Sequence, residues 1–344
     1  MHAAPPDAEP HAAPTVGSAG TISVVVTTHN RAELVLETLA SILAQSRPPL
    51  EVIVVDDGST DATPQSLAPL AASGRIRYVR QANAGLAAAR NHGASLARGD
   101  YLAFIDDDDL WPADVLAWQA AHLDADPTLG VVLGTHTEFG DVPPGERLPP
   151  TAGDAATSQP SWLAVFSSCP ATSVGQVLMR RAVFEAAGGF RGEFWSVEDW
   201  DLWLRLFHDA RVLRVRRTAL HYRVHRHGMS KKIVRHVAAM LHLFDDHLPR
   251  VPARQRTLVR YLTYDNLVGA FGPRVRARLR EAARGGEWAA AREALALMLR
   301  LEARLWRAAL GVKARLLLRG RWRLVHGDPV VRAAYQNRGV ADGR

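Results

Sequence analysis

Four consecutive aspartates, Asp106 to Asp109, are the residues best suited to chemistry in this sequence. They follow the apolar stretch Tyr-Leu-Ala-Phe-Ile, a composition typical of a buried strand. Carboxylates at the end of such a strand need a cationic partner, because an unpaired charge is costly to bury. Their hard oxygens suit Mg²⁺ or Mn²⁺, which suggests a substrate with phosphates. The alternative is a solvated acidic turn before a helix that begins near Trp111-Pro112.

Polar side chains also follow two earlier predicted strands. The strand over 21–26 ends at Thr27-Thr28-His29-Asn30-Arg31, and the strand over 51–55 ends at Asp56-Asp57-Gly58-Ser59. A helical pattern over 34–43 separates them, and this strand, helix, strand unit predicts a parallel sheet. Ligands of open parallel sheets bind at the carboxyl ends of the strands. No glycine lies between residues 27 and 31, which argues against a dinucleotide-binding turn.

Three further residues are candidates for the same site. A third strand over 75–79 and a helix over 86–97 place Arg90 near the carboxyl edge of the sheet, where it would hold phosphate or pair with Asp106. The stretch over 195–206 contains a helix with Glu198 and Asp199 at its start, either as an acidic first turn or with a carboxylate held as general base. His225, in a turn over 225–230, is either a further metal ligand or an ordinary surface histidine.

The rest of the chain continues the alternation of strands and helices. Residues 135–161 lack periodicity and predict a long loop able to cover a substrate. Beyond residue 231, leucine, alanine and arginine predict several helices. The other predicted elements are a helix over 111–123, strands over 131–133 and 173–179, a helix over 181–187, and edge-like strands over 212–215 and 220–224.

Composition limits the class and compartment of the protein. A chain of 344 residues with 47% hydrophobic content predicts one large domain with an appendage. Its single cysteine, Cys169, excludes an internal disulfide framework and fits a reducing cytosol. Residues 1–20 lack the basic start and apolar core of a signal peptide and predict a flexible tail. Because no apolar run approaches about 18 residues, we expect a cytoplasmic protein that is soluble or peripheral on the membrane.

Charge divides the chain into two unlike parts. Residues 1–230 carry 18 basic and 26 acidic side chains, a net charge of −8, whereas residues 231–344 carry 24 and 9, a net charge of +15. The interleaved leucines and arginines of 289–318 suit an anionic membrane surface. They equally suit a packed helical subdomain or a protein partner. The charge also permits nucleic acid, but no recognition motif supports it, so none is expected.

Taken together, the motifs resemble glycosyltransferase family 2, the inverting enzymes of the GT-A fold. The resemblance covers 22–230 and implies an α/β fold with a mostly parallel sheet flanked by helices. We therefore expect a tail over 1–20, a GT-A domain over 21–230 and a basic, all-helical region over 231–344. Five motifs in order carry the resemblance: Val26-Thr27-Thr28-His29-Asn30-Arg31, Val54-Val55-Asp56-Asp57-Gly58-Ser59-Thr60-Asp61, Asn83-Ala84-Gly85 with Ala89-Arg90-Asn91, Phe104-Ile105-Asp106-Asp107-Asp108-Asp109, and Glu198-Asp199-Trp200-Asp201.

The resemblance implies roles for individual residues. Asp108 resembles the residue that ligates Mn²⁺ or Mg²⁺, although the register leaves Asp107 and Asp109 as rivals. His225, a candidate by its residue type, is the second ligand expected at this metal site. Asp199 is similar to the catalytic base of the family. The residues expected to bind the nucleotide sugar are Thr27, His29, Asn30, Arg31, Asp57, Asn83, Arg90, Asp106 and Asp107.

The implied activity is a metal-dependent transfer of a sugar with inversion at the anomeric carbon. The donor is expected to be a nucleoside diphosphate sugar, with UDP as the nucleotide, and the acceptor a hydroxyl of a glycan or lipid-linked saccharide used in cell-surface polysaccharide. A sugar nucleotidyltransferase is one alternative, but it should have a glycine-rich basic loop after the first strand. A noncatalytic nucleotide-binding scaffold is the other.

Overall fold

The computed structural model describes residues 19–141, 156–157, 162–166, 169–225 and 232–318. The flexible tail predicted over 1–20 lies outside the described residues except for its last two positions. There the backbone N–H of Gly20 donates to Asp124 at 2.9 Å, so residue 20 belongs to the folded part of the chain. Residues 226–230 of the predicted turn and 319–344 of the basic region also lie outside the described residues.

One mixed sheet of eight strands, counted over the residues described above, forms the centre of the fold. The strand order is β3-β2-β1-β4-β7-β5-β8-β6. Strands β1 to β4 pair with one another in parallel, whereas β7 runs antiparallel to both β4 and β5. The strands are β1 (Ile22–Thr28), β2 (Glu51–Asp56), β3 (Arg77–Arg80), β4 (Tyr101–Asp106), β5 (Val131–Gly140), β6 (Ala156–Thr157), β7 (Val177–Arg180) and β8 (Val212–Val224).

Helices cover both faces of the sheet, as the buried central strands require. All seven residues of β1 are buried, which explains why its sequence is mostly apolar and does not alternate between apolar and polar residues. The described helices are α1 (Leu34–Leu43), α2 (Thr63–Ala72), α3 (Leu86–Ser95), α4 (Val115–Ala125), α5 (Trp162–Val165), α6 (Arg181–Ala186), α7 (Glu198–Asp209), α8 (Ile233–His247), α9 (Ala253–Arg284) and α10 (Trp288–Leu318).

The parallel register brings the predicted polar clusters to one edge. Thr27 of β1 lies opposite Asp106 of β4, and Thr28 lies opposite Asp56 of β2. Gly58 follows β2 with φ +80°, and a Cβ there would lie 2.9 Å from the backbone nitrogen of Asn83. Glycine is therefore required at this turn, because it tolerates both the left-handed backbone and the close approach. The strand, helix, strand prediction is confirmed.

Four predictions about local structure were wrong. Residues 135–140 continue β5 instead of opening the long loop, because they pair with β8. The two strands predicted over 212–224 are one strand, which β6 covers on its outer side. Residues 174–176, predicted as strand, form a 3₁₀ turn closed by Ser173 and Gln176. The helix predicted over 111–123 begins only at Val115.

The C-terminal helices are joined to the sheet domain through α7. Phe244 of α8 meets Trp200 of α7 edge to face, with ring centroids 5.2 Å apart. His247 of α8 lies 2.7 Å from the carboxylate of Asp201. Helices α9 and α10 then form a hairpin that turns at Gly286, whose φ is +74°. The helical prediction is confirmed for 232–318, and no helix in the described residues is both long and apolar enough to cross a membrane.

Candidate functional site

The aspartate run and the end of β1 meet at the carboxyl edge of the sheet. Arg31 donates to Asp107 at 3.0 Å and makes a second, shorter contact with Asp108. Burial opposes the charge of Arg31, but the neighbouring carboxylates of Asp107 and Asp108 outweigh it and raise the pKa of the guanidinium. Arg31 thus supplies one of the cationic partners expected for the acidic run.

Asp108 and His225 form a pair of donors suited to a metal ion. His225 Nε2 lies 3.2 Å from Asp108 Oδ2. The same ring nitrogen is buried and has no hydrogen-bond partner. Two atoms that each bond one ion at about 2.1 Å, at nearly right angles, lie about 3 Å apart. A carboxylate oxygen and an imidazole nitrogen at this separation therefore fit Mn²⁺ or Mg²⁺.

Asp109, one of the two rivals for the metal, faces the interior. Its carboxylate is completely buried and accepts hydrogen bonds from Ser173 Oγ at 3.1 Å and the backbone N–H of Arg223 at 2.9 Å. Burial, together with the charges of Asp106 and Asp108, raises its pKa well above the usual range. The side chain therefore anchors the acidic turn to β8.

Asp107, the other rival, is also buried. Burial raises the pKa of Asp107 to about 7, although Arg31 opposes the shift. Its Oδ1 pairs with Arg31, whereas Oδ2 is buried without a hydrogen-bond partner. Because His225 lies against Asp108, the geometry favours Asp108 over Asp107 and Asp109 as the metal ligand, and this assignment stays a prediction.

Asp57 organises the loop that follows β3. Its Oδ1 accepts hydrogen bonds from Gln81 Nε2 at 2.7 Å and the backbone N–H of Ala84 at 2.8 Å, and its Oδ2 accepts from Gly85 N–H at 2.9 Å. The structure therefore gives Asp57 a local role in addition to the binding of the nucleotide sugar predicted for it. Asn83 lies on the loop that this carboxylate holds.

His29 stands between the two loops. Its Nδ1 lies 2.9 Å from the backbone carbonyl of Asp57, which can only accept, so Nδ1 carries the proton. The side-chain nitrogen of Asn83 lies 3.4 Å from the same ring atom. Two predicted nucleotide-binding residues, His29 and Asn83, are therefore neighbours.

Asn30 connects the ends of β1 and β2. It has a left-handed backbone, with φ +55°, which asparagine tolerates better than most residues. Its side-chain oxygen accepts from the backbone N–H groups of Thr60 at 2.7 Å and Asp61 at 3.2 Å. These bonds occupy the side-chain oxygen of Asn30. Thr27, another residue predicted to bind the nucleotide sugar, is only 5% exposed.

Arg90 is buried between the aspartate run and α7. It donates to Asp106 at 2.6 Å and to Glu198 at 3.1 Å, and its guanidinium carbon lies 5.2 Å from the centre of the Phe190 ring. Of the two roles considered for Arg90, the ion pair with Asp106 is present. Since both carboxylates and the ring surround the guanidinium, which is 4% exposed, Arg90 has little surface left for phosphate.

Asp199, the predicted base, lies in the first turn of α7 beside Glu198. It is half-buried, and its Oδ1 accepts a hydrogen bond from Trp200 N–H at 2.7 Å. Burial raises the pKa of Asp199 to about 7; the charge of Glu198 adds to the shift and Arg90 opposes it. A carboxylate with a pKa near neutrality is well suited to accept a proton from a hydroxyl.

A second cluster of acidic residues stabilises the packing of α7 against α8. Within the described residues, Asp201, Asp246 and His247 place donor atoms within 4.8 Å of one another, a spacing that would suit a metal. However, Asp201 already accepts from Arg205 at 2.6 Å, from Arg191 and from His247. This network joins α7 to α8 and needs no additional cation.

Sequence reasoning missed several residues around the site. Ser173 bridges Asp106 at 3.3 Å and Asp109 at 3.1 Å, and Arg223 Nε donates to the backbone carbonyl of Asp108 at 2.8 Å. Burial raises the pKa of Tyr222, with the charges of Asp109, Asp106 and Asp108 adding to the shift. The sequence offered one signal for Tyr222 and Arg223: they lie just before His225, a residue already predicted to belong to the site.

The family model described as "Glycosyl transferase family 2" matches residues 23–188, which contain four of the five motifs. The EpsE protein of Bacillus subtilis (strain 168) is 32% identical over 197 residues, covering 55% of this chain and 67% of EpsE. The chain belongs to glycosyltransferase family 2. Membership in this family confirms the resemblance inferred from the motifs, and it does not support the alternative of a sugar nucleotidyltransferase.

Matches to two other relatives cover a smaller share of the relative's length. EpsH of the same Bacillus strain is 32% identical over 212 residues, which make up 59% of this chain and 61% of EpsH. A glycosyltransferase of Rickettsia conorii is 40% identical over 98 residues, 28% of this chain but only 16% of that protein. The chain thus spans less than two thirds of these two family members.

Solved structures of two other proteins share the fold. The mannosyltransferase PcManGT from Pyrobaculum calidifontis, solved with GDP-Man and Mn²⁺, is 22% identical with a TM-score of 0.56; the match covers 87% of this chain and 89% of that one. Residues 1–349 of S. aureus TarS, solved with UDP-GlcNAc, are 18% identical with a TM-score of 0.52 and coverages of 88% and 93%. The chain therefore has the GT-A fold predicted for this family.

Proposed function

We propose that this family 2 member is an inverting, metal-dependent glycosyltransferase. In this proposal it moves a sugar from a nucleoside diphosphate, with UDP as the first nucleotide to test, to a hydroxyl of a glycan or lipid-linked saccharide. The observation that carries the proposal is the 3.2 Å separation of His225 Nε2 and Asp108 Oδ2 at the carboxyl end of β4. The ligands of PcManGT and TarS, GDP-Man with Mn²⁺ and UDP-GlcNAc, support a nucleotide sugar as donor.

Asp108 and His225 would hold Mn²⁺ or Mg²⁺ in this account. The bound ion supplies positive charge that stabilises a departing diphosphate. Asp57 and Asn30 hold the two loops in place, and His29 and Asn83 beside these loops would contact the nucleotide. Arg31 pairs with Asp107 and Asp108 and is more exposed than the buried Arg90, so it would be shared with the phosphates once a donor binds.

Asp199 would act as the general base. Its carboxylate accepts the proton of the acceptor hydroxyl while the hydroxyl oxygen attacks the anomeric carbon. The bond from that carbon to the diphosphate breaks on the opposite face, so a single displacement inverts the configuration. Burial supports this role, because it raises the pKa of Asp199 to about 7 and makes the carboxylate a stronger base than a solvated one.

A screen of nucleotide sugars for donor hydrolysis tests the proposal. Purified protein with Mn²⁺ or Mg²⁺ is incubated with UDP-linked and GDP-linked sugars, and the release of UDP or GDP is measured. We expect release from at least one donor, loss of release with a chelator, and retention of donor binding by Asp199→Asn. Binding of UDP without turnover of any donor, even with acceptor glycans added, would instead favour the noncatalytic scaffold.

The acceptor and the cellular setting are part of the same proposal. A cell-surface polysaccharide is the first class of acceptor to test, because the resemblance of the motifs to the family implies it. The basic region over 231–344 would favour a peripheral position on the inner face of the cell membrane, where lipid-linked saccharides are available.

A further inference from the structure

Helix α10 exposes a row of large apolar side chains along one side. We call this row the α10 stripe. At about 100° per residue, its spacing of 7, 4, 7 and 4 positions keeps it within an arc of about 60°. The stripe comprises Trp288, Leu295, Leu299, Trp306 and Leu310, with exposures of 64, 41, 56, 65 and 61%.

The opposite side of α10 fixes the direction in which the stripe faces. That side is buried against the neighbouring helices and includes Ala294, Leu297 and Leu301, which are at most 5% exposed. Arg304 pairs with Asp245 of α8 at 2.8 Å and contacts the hydroxyl of Tyr264 in α9 at 3.1 Å. Rolling the helix to bury the stripe would break this pair and expose the packed face, so the stripe stays outward.

Charge decides what kind of surface would cover the stripe. Arg292, Arg300 and Arg307 are exposed on the same helix, which carries Glu293 and Glu302 as its acidic residues. Across 232–318 there are 17 basic and 7 acidic side chains. Two copies of this chain paired through their α10 helices would bring like charges together, whereas an anionic lipid surface is complementary. Tryptophan and leucine beside arginine is also the composition of helices that lie in the membrane interface.

We propose that α10 lies in the plane of an anionic membrane surface, with the stripe inserted at the boundary between headgroups and acyl chains. Exposed arginines of the helix then contact lipid phosphates. Arg304 joins α10 to α8, and His247 of α8 joins Asp201 of α7, the helix that also carries Asp199. A docked α10 would therefore hold the helix with the proposed base close to the bilayer. This binding does not depend on the donor chemistry and can be measured without it.

Vesicle co-sedimentation of the full chain tests the proposal. The probes are vesicles of phosphatidylglycerol with phosphatidylcholine, and vesicles of phosphatidylcholine alone. We expect binding to the anionic vesicles only, weakening as salt rises through 0.15 M. Replacing two members of the stripe, Leu299→Gln with Trp306→Gln, should reduce partitioning by about tenfold or more, because two large apolar side chains no longer insert.

A matched substitution separates the stripe from general surface polarity. Leu50, 51% exposed in the sheet domain, offers Leu50→Gln as a control for Leu299, and it should bind vesicles like the wild type. Circular dichroism and thermal melting confirm that each variant is folded. Undiminished binding by the double variant, or no binding of the wild type to anionic vesicles, would overturn the proposal. So would a dimer in solution that the double variant dissociates without any vesicle binding, because the stripe would then be a self-association surface.

Discussion

Arg90 and Glu198 form a buried ion pair, with Nη1 3.1 Å from Oε1, that joins the two halves of the site. The other terminal nitrogen of Arg90 lies 2.6 Å from Asp106, the first residue of the aspartate run. Glu198 in turn is the immediate neighbour of the proposed base. One guanidinium therefore connects the region proposed to bind the donor with the first turn of α7. The charges of both partners also act on Asp199.

This arrangement predicts opposite shifts in the pH dependence of turnover for two variants. Glu198→Gln removes a negative charge beside Asp199, which lowers the pKa of the base and moves the acidic limb of kcat/KM to lower pH. Arg90→Gln removes a positive charge and should move the same limb to higher pH. Profiles of kcat/KM against pH measure both shifts. Limbs that move in the same direction, or not at all, would show that the pair does not tune the base.

Asp199→Asn separates binding from chemistry. Asparagine is nearly isosteric but cannot take up the proton, so we expect kcat to fall by about two to four orders of magnitude while the donor affinity is nearly unchanged. In the wild type, turnover should rise with pH through about 7, because the base must lose its proton to act. Steady-state rates and donor titrations measure these effects. A loss of donor affinity as large as the loss in rate would place Asp199 in the nucleotide site.

Asp201→Asn should destabilise the fold. Asp201 is completely buried and paired with Arg191, Arg205 and His247, so its replacement leaves the buried Arg205 without its counter-charge. We expect the free energy of unfolding, measured with urea, to fall by about 3–5 kcal/mol. Asp199→Asn is the matched control two residues away; it lacks such a network and should change the stability far less.

The same network makes stability depend on pH. Burial alone would raise the pKa of Asp201, but hydrogen bonds from His247 and Arg191 and the charge of Arg205 hold it well below its usual range. A depressed pKa in the folded state gives stability that is present above the unfolded pKa of about 4 and is lost as the pH falls below it. Urea titrations between pH 7 and pH 3 should show this loss in the wild type and a smaller one in Asp201→Asn.

Asp109→Asn tests the register of the aspartate run. Its carboxyl group points at Ser173 and at the backbone N–H of Arg223, and an amide oxygen can still accept from either donor. We therefore expect the metal dependence of donor hydrolysis to persist, with a stability cost of about 1 kcal/mol. A variant that folds normally but no longer responds to metal would move the metal ligand from Asp108 to Asp109.

The sequence predicted the parallel half of the sheet well, because local patterns decide it. Apolar runs such as 21–26 and the helical spacing of 34–43 need no knowledge of distant partners. Residues 135–140 were missed as strand because their polar sequence becomes a strand only by pairing with β8, about 80 residues later. The mixed half of the sheet depends on such distant pairings, which no local period reveals.

The site was predicted in the same uneven way. Residue types and strand ends indicated the aspartate run and Asp199, and the structure brings His225 beside Asp108. The sequence alone did not reveal that Asp109 turns inward, because this depends on Ser173 and Arg223, 64 and 114 residues away. Nor did it distinguish a phosphate-binding Arg90 from a buried one, since that choice depends on where Glu198 lies.

The central claim is that Asp108 and His225 hold a metal ion that strengthens nucleotide binding. Titration calorimetry of UDP into the chelator-treated protein, with and without Mn²⁺, tests it most directly, with GDP as the second nucleotide. We expect Mn²⁺ to tighten nucleotide binding by about tenfold or more in the wild type and in Asp109→Asn. Asp108→Asn and His225→Ala should remain folded but show little or no effect of Mn²⁺. Equal nucleotide affinity with and without Mn²⁺ in the wild type, or an undiminished metal effect in Asp108→Asn, would contradict the account.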